Sequence, residues 1–433
     1  MTRLGRILIN AFVICVAAQL LVAAEPDNST QPPATVNWPM YKGRAARTGF
    51  NPSETTINVG NAQTLSQSWV GIMGDLVDVS SPAVVNGIVY VGSFDGKVYA
   101  FDANGCGSDA CQPLWSGATQ NSITSSSAVA QGTVFIGSND HKFYAFPASG
   151  CGQSTCAPLW TATTGGAIQD GSPVVANGVV YVGSTDKKLY AFAAAGCGSF
   201  TCSPLWTAAT GGMVQSPPAV ANSVVYVGSS DGKLYAFNAA GCGSSTCTPL
   251  WTASTGPSIL GSGPAVANGV VYIGSFVRDL YAFAAAGCGQ STCQPLWKGN
   301  AGQFIAATPS IANGVVYIGS GDGILSAFKA SGCGTALCQP LWTGAAVGAQ
   351  AAMISAPTVA NGLVYIGENN GMVEVFNAKG CGKSFCLPVT QLLTQNEQIV
   401  SSTPAVVNGT VYFGSADQFS NPIGRLYVFK LFQ

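Results

Sequence analysis

The sequence predicts an all-β fold: an eight-bladed β-propeller of four-stranded antiparallel blades, closed by an N-terminal strand in the last blade. Three observations predict it. A unit carrying a cysteine pair recurs seven times, with first-cysteine spacings of 45, 46, 45, 46, 45 and 48 residues, a period in the range of propeller blades. Each unit holds four short strand-like runs that are apolar on both faces, as a blade packed between two others requires. The inner-strand motif occurs eight times, with turn residues at Asn86, Gln131, Asn177, Asn222, Asn268, Asn313, Asn361 and Asn408.

Residues 172–207 show the unit most clearly. SPVVAN is an inner strand opened by a proline, and Asn177-Gly178 suits a tight hairpin turn whose two central residues need positive φ. VVYVGS is the continuous β-branched run of a strand covered on both faces. The turn Thr185-Asp186-Lys187 leads into KLYAFAA, and a cysteine loop then leads into the outer strand PLWTA. The outer tryptophan recurs at Trp115, Trp160, Trp206, Trp251, Trp297 and Trp342, and the seventh unit degenerates to LPVTQLL. The eighth unit stops at RLYVFKLFQ with no outer strand. LSQSWV, with Trp69, supplies one from the other end of the chain and closes the ring.

Residues 1–24 read as a secretory signal peptide: Arg3 and Arg6 precede an apolar stretch from Ile7 to Val22, and Val22-Ala23-Ala24 offers a small-residue cleavage site. A lead-in segment over 25–65 and a propeller over 66–433 follow. No other apolar run is long enough to span a membrane. Losing the leader removes Cys15 and leaves 14 cysteines, an even number suited to a disulfide framework in an exported chain. The expected pairs are Cys106–Cys111, Cys151–Cys156, Cys197–Cys202, Cys242–Cys247, Cys288–Cys293, Cys333–Cys338 and Cys381–Cys386, each closing the hairpin between third and outer strands. Zinc wants four ligands at one point, and these pairs are spread around a ring.

Charged residues make up only 8% of the chain and the formal net charge is −1. With no basic stripe, nucleic acid is excluded as a partner. His141 is the only histidine and lies in a turn whose copies are Gly96, Lys187 and Gly232, so Ser-His or Cys-His catalysis has no base.

Ala100-Phe101-Asp102-Ala103, Gly105 and Trp115 resemble the quinoprotein-type (PQQ-like) propeller repeat, with the cysteine loop inserted between glycine and tryptophan. The run from Trp38 to Phe50 resembles the lead-in of such proteins. The resemblance covers about residues 38–433 and implies the propeller fold. It implies either a quinone-dependent alcohol dehydrogenase or a cofactor-free scaffold, since the family holds both. The enzymes carry a disulfide between adjacent cysteines, calcium ligands and a catalytic aspartate, none of which is recognisable here. The repeat aspartate itself gives way to Pro147, Ala193, Asn238, Ala284, Lys329 and Asn377.

Ligands of propellers gather at the central funnel, where the loops between blades converge. Most loops carry an apolar residue four positions before the inner-strand proline: Ile123, Val214, Leu260, Ile305, Met353 and Val400. Asp78 and Gln169 break that rule, and with Asp170, Gln215, Glu397 and Gln398 they are the candidate ligand-binding residues. Gln303 and Gln350 lie nearby, Arg278 replaces the usual turn residue, and 416–424 is an inserted turn. The expectation is an exported, non-catalytic binding or scaffold propeller of the periplasm, cell envelope or extracellular space. It is expected to be a monomer with a protein or polysaccharide partner and no cofactor. The alternative is a PQQ-dependent dehydrogenase using PQQ with calcium.

Overall fold

The computed structural model describes residues 37–77, 79–345, 351–394, 401–416 and 423–432. The expected leader lies outside them. Eight sheets follow one another along the chain, each with its first three strands built from one sequence unit. In blade 3 the hydrogen-bonded order is Val174–Ala176, Val179–Ser184, Lys188–Ala193 and Trp206–Ala209. Asn177 and Gly178 turn the first hairpin with φ of 49° and 77°, the left-handed pair that a two-residue hairpin needs. The closure expected from the sequence is present. Leu65–Ile72 pairs antiparallel with Gly424–Leu431, from Leu65↔Leu431 to Ile72↔Arg425, so blade 8 is made from both ends of the described chain. Among the described residues no helix is long and apolar enough to cross a membrane.

Where four strands per blade were expected, seven of the eight sheets carry a fifth. In six, that strand is a two-residue stretch ending on the second cysteine of the next blade's loop. Thr246–Cys247 of blade 4, for example, runs parallel to Trp206–Ala209 of blade 3, with the Thr207 N–H donating to Ser245 O at 2.8 Å. Blade 2 receives a single bridge, Thr161↔Thr201. The physical reason is the open edge of each outer strand, whose unpaired N–H and C=O groups accept any extended segment nearby. All seven expected disulfides are formed, with Cα atoms 5.6–5.7 Å apart. They therefore shape loops that tie one blade to the preceding one, in addition to closing their own hairpins.

The blades pack through aromatic side chains. Tyr181 lies against Trp206 with ring centres 5.8 Å apart, and its hydroxyl crosses to blade 4 to donate to Ala239 O at 2.8 Å. Five other blades repeat this bond, from Tyr90, Tyr226, Tyr272, Tyr317 and Tyr412. The first glycine of each cysteine loop makes room for the preceding blade's tryptophan: a Cβ on Gly196 would lie 2.8 Å from Trp160 Cδ1.

Residues 38–51 form a strap around the inside of the ring that bonds to every blade. Trp38 exchanges two hydrogen bonds with Val84 of blade 1, and Pro39 O accepts from Val129 N–H of blade 2. Ala45 O, Ala46 O, Thr48 O and Gly49 O accept from Val220, Val266, Ile311 and Val359 of blades 4 to 7. Phe50–Asn51 adds a short parallel strand to the inner strand of blade 7, and the Asn51 amide donates to Val406 O of blade 8 at 2.8 Å. Blade 3 is reached by the Arg47 guanidinium, which donates to Ser172 O and Pro173 O, each at 2.8 Å. The strap thus satisfies inner-strand backbone groups that face the channel, as buried polar groups require.

Candidate functional site

The funnel is built from the loops between blades. Each loop anchors itself with one apolar side chain driven under the next blade. The buried series is Val77, Ile123, Ile168, Val214, Ile259, Ile305 and Met353, lodged over glycines of the second strands, where a Cβ on Gly137 would meet Ile168 Cγ2 at 2.2 Å. This corrects the expectation that Asp78 and Gln169 interrupt the apolar series and that Leu260 belongs to it. Val77, Ile168 and Ile259 hold those places, five residues before the proline. The loop of blade 3 accommodates its extra residue by turning Asp170 left-handed at φ 57°, where blade 5 uses Gly261 at φ 74°.

Above the strap, hydroxyls link neighbouring inner strands. Ser81 N–H donates to Ser126 Oγ, Ser126 N–H to Ser172 Oγ, Gly263 N–H to Thr308 Oγ1 and Ala356 N–H to Thr403 Oγ1, at 2.8–3.1 Å. The Thr403 N–H returns to Ser81 Oγ at 2.9 Å, across the junction of blades 8 and 1. Within this ring lies a cavity of about 220 Å³ with Tyr41 among its lining residues, together with Asp170, Ser172, Pro217, Ala306 and Thr403. Burial pushes the Tyr41 phenol up, against hydrogen bonds from Thr308 and Thr403 that lower it.

Of the expected ligand-binding residues, Asp170 lines the cavity, and its N–H donates to Thr124 Oγ1 of the neighbouring loop at 3.2 Å. Gln169 and Gln215 meet each other, with an amide-to-amide contact of 3.4 Å, and neither is among the lining residues. Asp78, Glu397 and Gln398 lie outside the described residues, as do Gln350 and most of the inserted turn. Arg278 and His141 are exposed turn residues at φ 95° and 68°.

Lys42 and Arg47 are fully buried in the strap. The Lys42 ammonium donates to Thr308 O, Ser310 Oγ and Pro357 O. Arg47 adds Tyr41 O and Pro218 O to its two bonds from blade 3, and its guanidinium sits 5.3 Å from the Tyr41 ring centre. Burial pulls Lys42 well below the usual ammonium range, and the Arg47 charge adds to that. Burial pulls Arg47 down to about 9, opposed by Tyr41.

Blade 7 holds a second group of ionisable residues that the sequence reading missed. Glu368 and Glu374 are fully buried. Burial, and then the Glu374 charge, push Glu368 up to about 8; burial pushes Glu374 up to about 7. Comparing the repeats column by column would have found them, since position 368 is serine in the other seven blades and position 374 is tyrosine in six of them. On the opposite face from the funnel, Leu114, Leu159, Leu205, Leu250, Leu296 and Leu341 each stand about half exposed beside a cysteine loop.

A family model described as outer membrane protein assembly factor BamB matches residues 59–151, 150–242 and 244–420. The chain belongs to this PQQ_2 repeat family. Among solved structures it is similar to the quinohemoprotein alcohol dehydrogenase from Comamonas testosteroni, with a TM-score of 0.69 and 15% identity over 91% of this chain and 80% of that one. BamB from Moraxella catarrhalis is similar with a TM-score of 0.61 and 17% identity, over 84% of this chain and 97% of that one. A europium-containing methanol dehydrogenase gives a TM-score of 0.66 and 14% identity, over 91% and 98%. At these identities the likeness is one of fold. No curated protein matches the chain.

Similar folds thus occur in dehydrogenases and in BamB, and the cavity can be tested against the quinone acid PQQ that the sequence resemblance implies. That cofactor is polyanionic, and a site for it needs cationic donors facing it. No lysine or arginine is among the lining residues; Lys42 and Arg47 are engaged by backbone carbonyls and a serine beneath. The ring hydroxyls already accept the backbone N–H groups of neighbouring blades. The described residues do not fit the cofactor.

Proposed function

We propose that this chain is an exported, non-catalytic binding or scaffold propeller of the cell envelope or extracellular space, with a protein or polysaccharide partner. The observation that carries this reading is the use made of the channel's polar groups. Strap cations and ring hydroxyls are spent on holding eight blades together, which leaves a small, mostly apolar cavity where a dehydrogenase would place its reacting groups. The seven loop disulfides support an oxidising compartment. The half-exposed leucines beside six cysteine loops give that face a repeated apolar point on which a partner would make contact.

The test is direct. The purified chain is mixed with PQQ and calcium, dialysed, and examined for a bound quinone spectrum and dye-linked alcohol oxidation. The proposed reading expects neither. Stoichiometric quinone retention with turnover of an alcohol would replace it with the dehydrogenase reading.

A further inference from the structure

Blade 7 departs from its neighbours at three positions that act together. In blades 1 to 4 the third-strand tyrosine donates its hydroxyl to the aspartate of the preceding turn, as Tyr99 does to Asp95 and Tyr190 does to Asp186. In blade 7 the tyrosine position is Glu374, the turn aspartate is Asn370, and the serine that opens the turn is Glu368. One carboxylate that accepts from a phenol is replaced by two carboxylates.

The hairpin register puts both acids on one face. Glu374 stands opposite Ile366, and Glu368 N–H donates to Met372 O at 2.8 Å, so the two acids are diagonal neighbours, within reach of each other for long side chains. Gln391 of the outer strand stands directly opposite Glu374. Phe376, two residues along on the same face, contacts Trp342 of blade 6 with ring centres 6.4 Å apart. The acids therefore face the join between blades 6 and 7. The Asn370 amide donates to Glu368 Oε2 at 2.9 Å and the Gln391 amide to Glu374 Oε1 at 2.7 Å. That leaves Glu368 Oε1 and Glu374 Oε2 buried with no hydrogen-bond partner. No lysine or arginine among the described residues pairs with either acid.

Two buried carboxylates with unpaired oxygens and no protein cation call for a positive charge from outside the chain. We propose that Glu368 and Glu374 bind one divalent cation of the calcium class between blades 6 and 7. The donors are all oxygen, which selects a hard cation over zinc or copper. Half-buried Asn370 and Gln391 flank the acids, hold their outer oxygens and mark the way in. This site lies within a blade-to-blade join, apart from the funnel cavity, and does not depend on the proposed function.

The full chain, stripped with chelator, is titrated with terbium as a calcium stand-in under tryptophan excitation. One saturable ion per chain is expected, competed off by calcium, with a melting temperature higher in calcium than in chelator. The variant E368S/E374Y restores the residues that neighbouring blades use and so should fold. It is expected to lose both the terbium emission and the calcium-dependent shift, and E368Q/E374Q should lose them too. Absence of saturable terbium binding by the wild type, or its full retention by E368S/E374Y, would overturn the proposal. So would a melting temperature that is the same in calcium and chelator.

Discussion

Replacing Arg47 with methionine keeps the aliphatic bulk of the side chain and removes the guanidinium that hydrogen-bonds the strap to blade 3. The guanidinium donates to four carbonyls, on Tyr41, Ser172, Pro173 and Pro218. Hydrogen bonds from a charged donor are worth about 1.5–3 kcal/mol each, and a buried acceptor left unpaired costs about 1–3 kcal/mol. Against this stands relief from burying a cation, several kcal/mol in effect. The difference comes to about 2–4 kcal/mol of lost stability. For a compact unit spanning residues 35–433, unfolding entropy is about 0.8 kcal/mol per degree, so the melting temperature should fall by about 3–5 °C. Calorimetry on wild type and R47M measures it. R47K serves as a control, since an ammonium keeps the charge but lacks the planar fork, and it should fall between the two. An R47M melting temperature equal to or above the wild-type value would refute the account of the strap as a cationic tie.

Converting Cys242 and Cys247 to serine should cost about 2 kcal/mol in the chain-entropy model. Because Thr246–Cys247 is the fifth strand of blade 3, the Thr207 amide of that blade should exchange faster by hydrogen-exchange mass spectrometry; unchanged protection there would show that the disulfide serves its own hairpin alone. Gly196→Ala places a Cβ 2.8 Å from the Trp160 ring at a backbone φ of 79°, and should destabilise by about 1–3 kcal/mol, read by denaturant midpoint. Lys42 binds its proton less tightly in the folded chain than in the unfolded one, where its value is near 10.5. The penalty is whole below the folded value, shrinks as pH rises through it and vanishes above the unfolded value. Wild type should therefore gain stability relative to K42M as pH rises from 7 towards 10, and parallel melting curves would show that Lys42 stays protonated in both states.

The architecture was legible because its signals are local and repeated: a tight hairpin turn and a β-branched run every 45–48 residues, and a tryptophan strand in most units. Closure by Trp69's strand followed from a missing outer strand at one end and a spare one at the other. The strap was not legible. Its partners are inner-strand N–H groups, which any backbone carbonyl satisfies, so its sequence needs no period and shows none. The fifth strands were hidden for a similar reason, being two residues long and paired through backbone atoms of the next blade. At the funnel, counting back from the proline misplaced Gln169 because the loop carries one residue more than most. The true anchor, Ile168, was one position away, and Asp170 takes the left-handed turn that the extra residue requires. Glu368 and Glu374 were visible as departures from the repeat columns. They sit at a second-strand end and on a third strand, outside the divergent loops where propeller ligands gather.

A ring of near-identical blades carries its own control for what the fold requires. Gly261 turns the longer loop of blade 5 without a side chain, so the backbone at Asp170 does not need its carboxylate. Serine and tyrosine fill the positions of Glu368 and Glu374 in blades 1 to 5, so that hairpin does not need two buried acids. Burying a carboxylate without a partner is costly, and the neighbouring blades show a serine and a tyrosine at these two positions that the same backbone accepts. In chelator, therefore, E368S/E374Y should melt above the wild type, and the order should narrow or reverse in calcium as the cation restores what the acids lack. A wild type that melts higher than E368S/E374Y in chelator would mean that the acids are satisfied by the protein alone, and the argument from blade comparison would fail at the one place where it assigns a ligand.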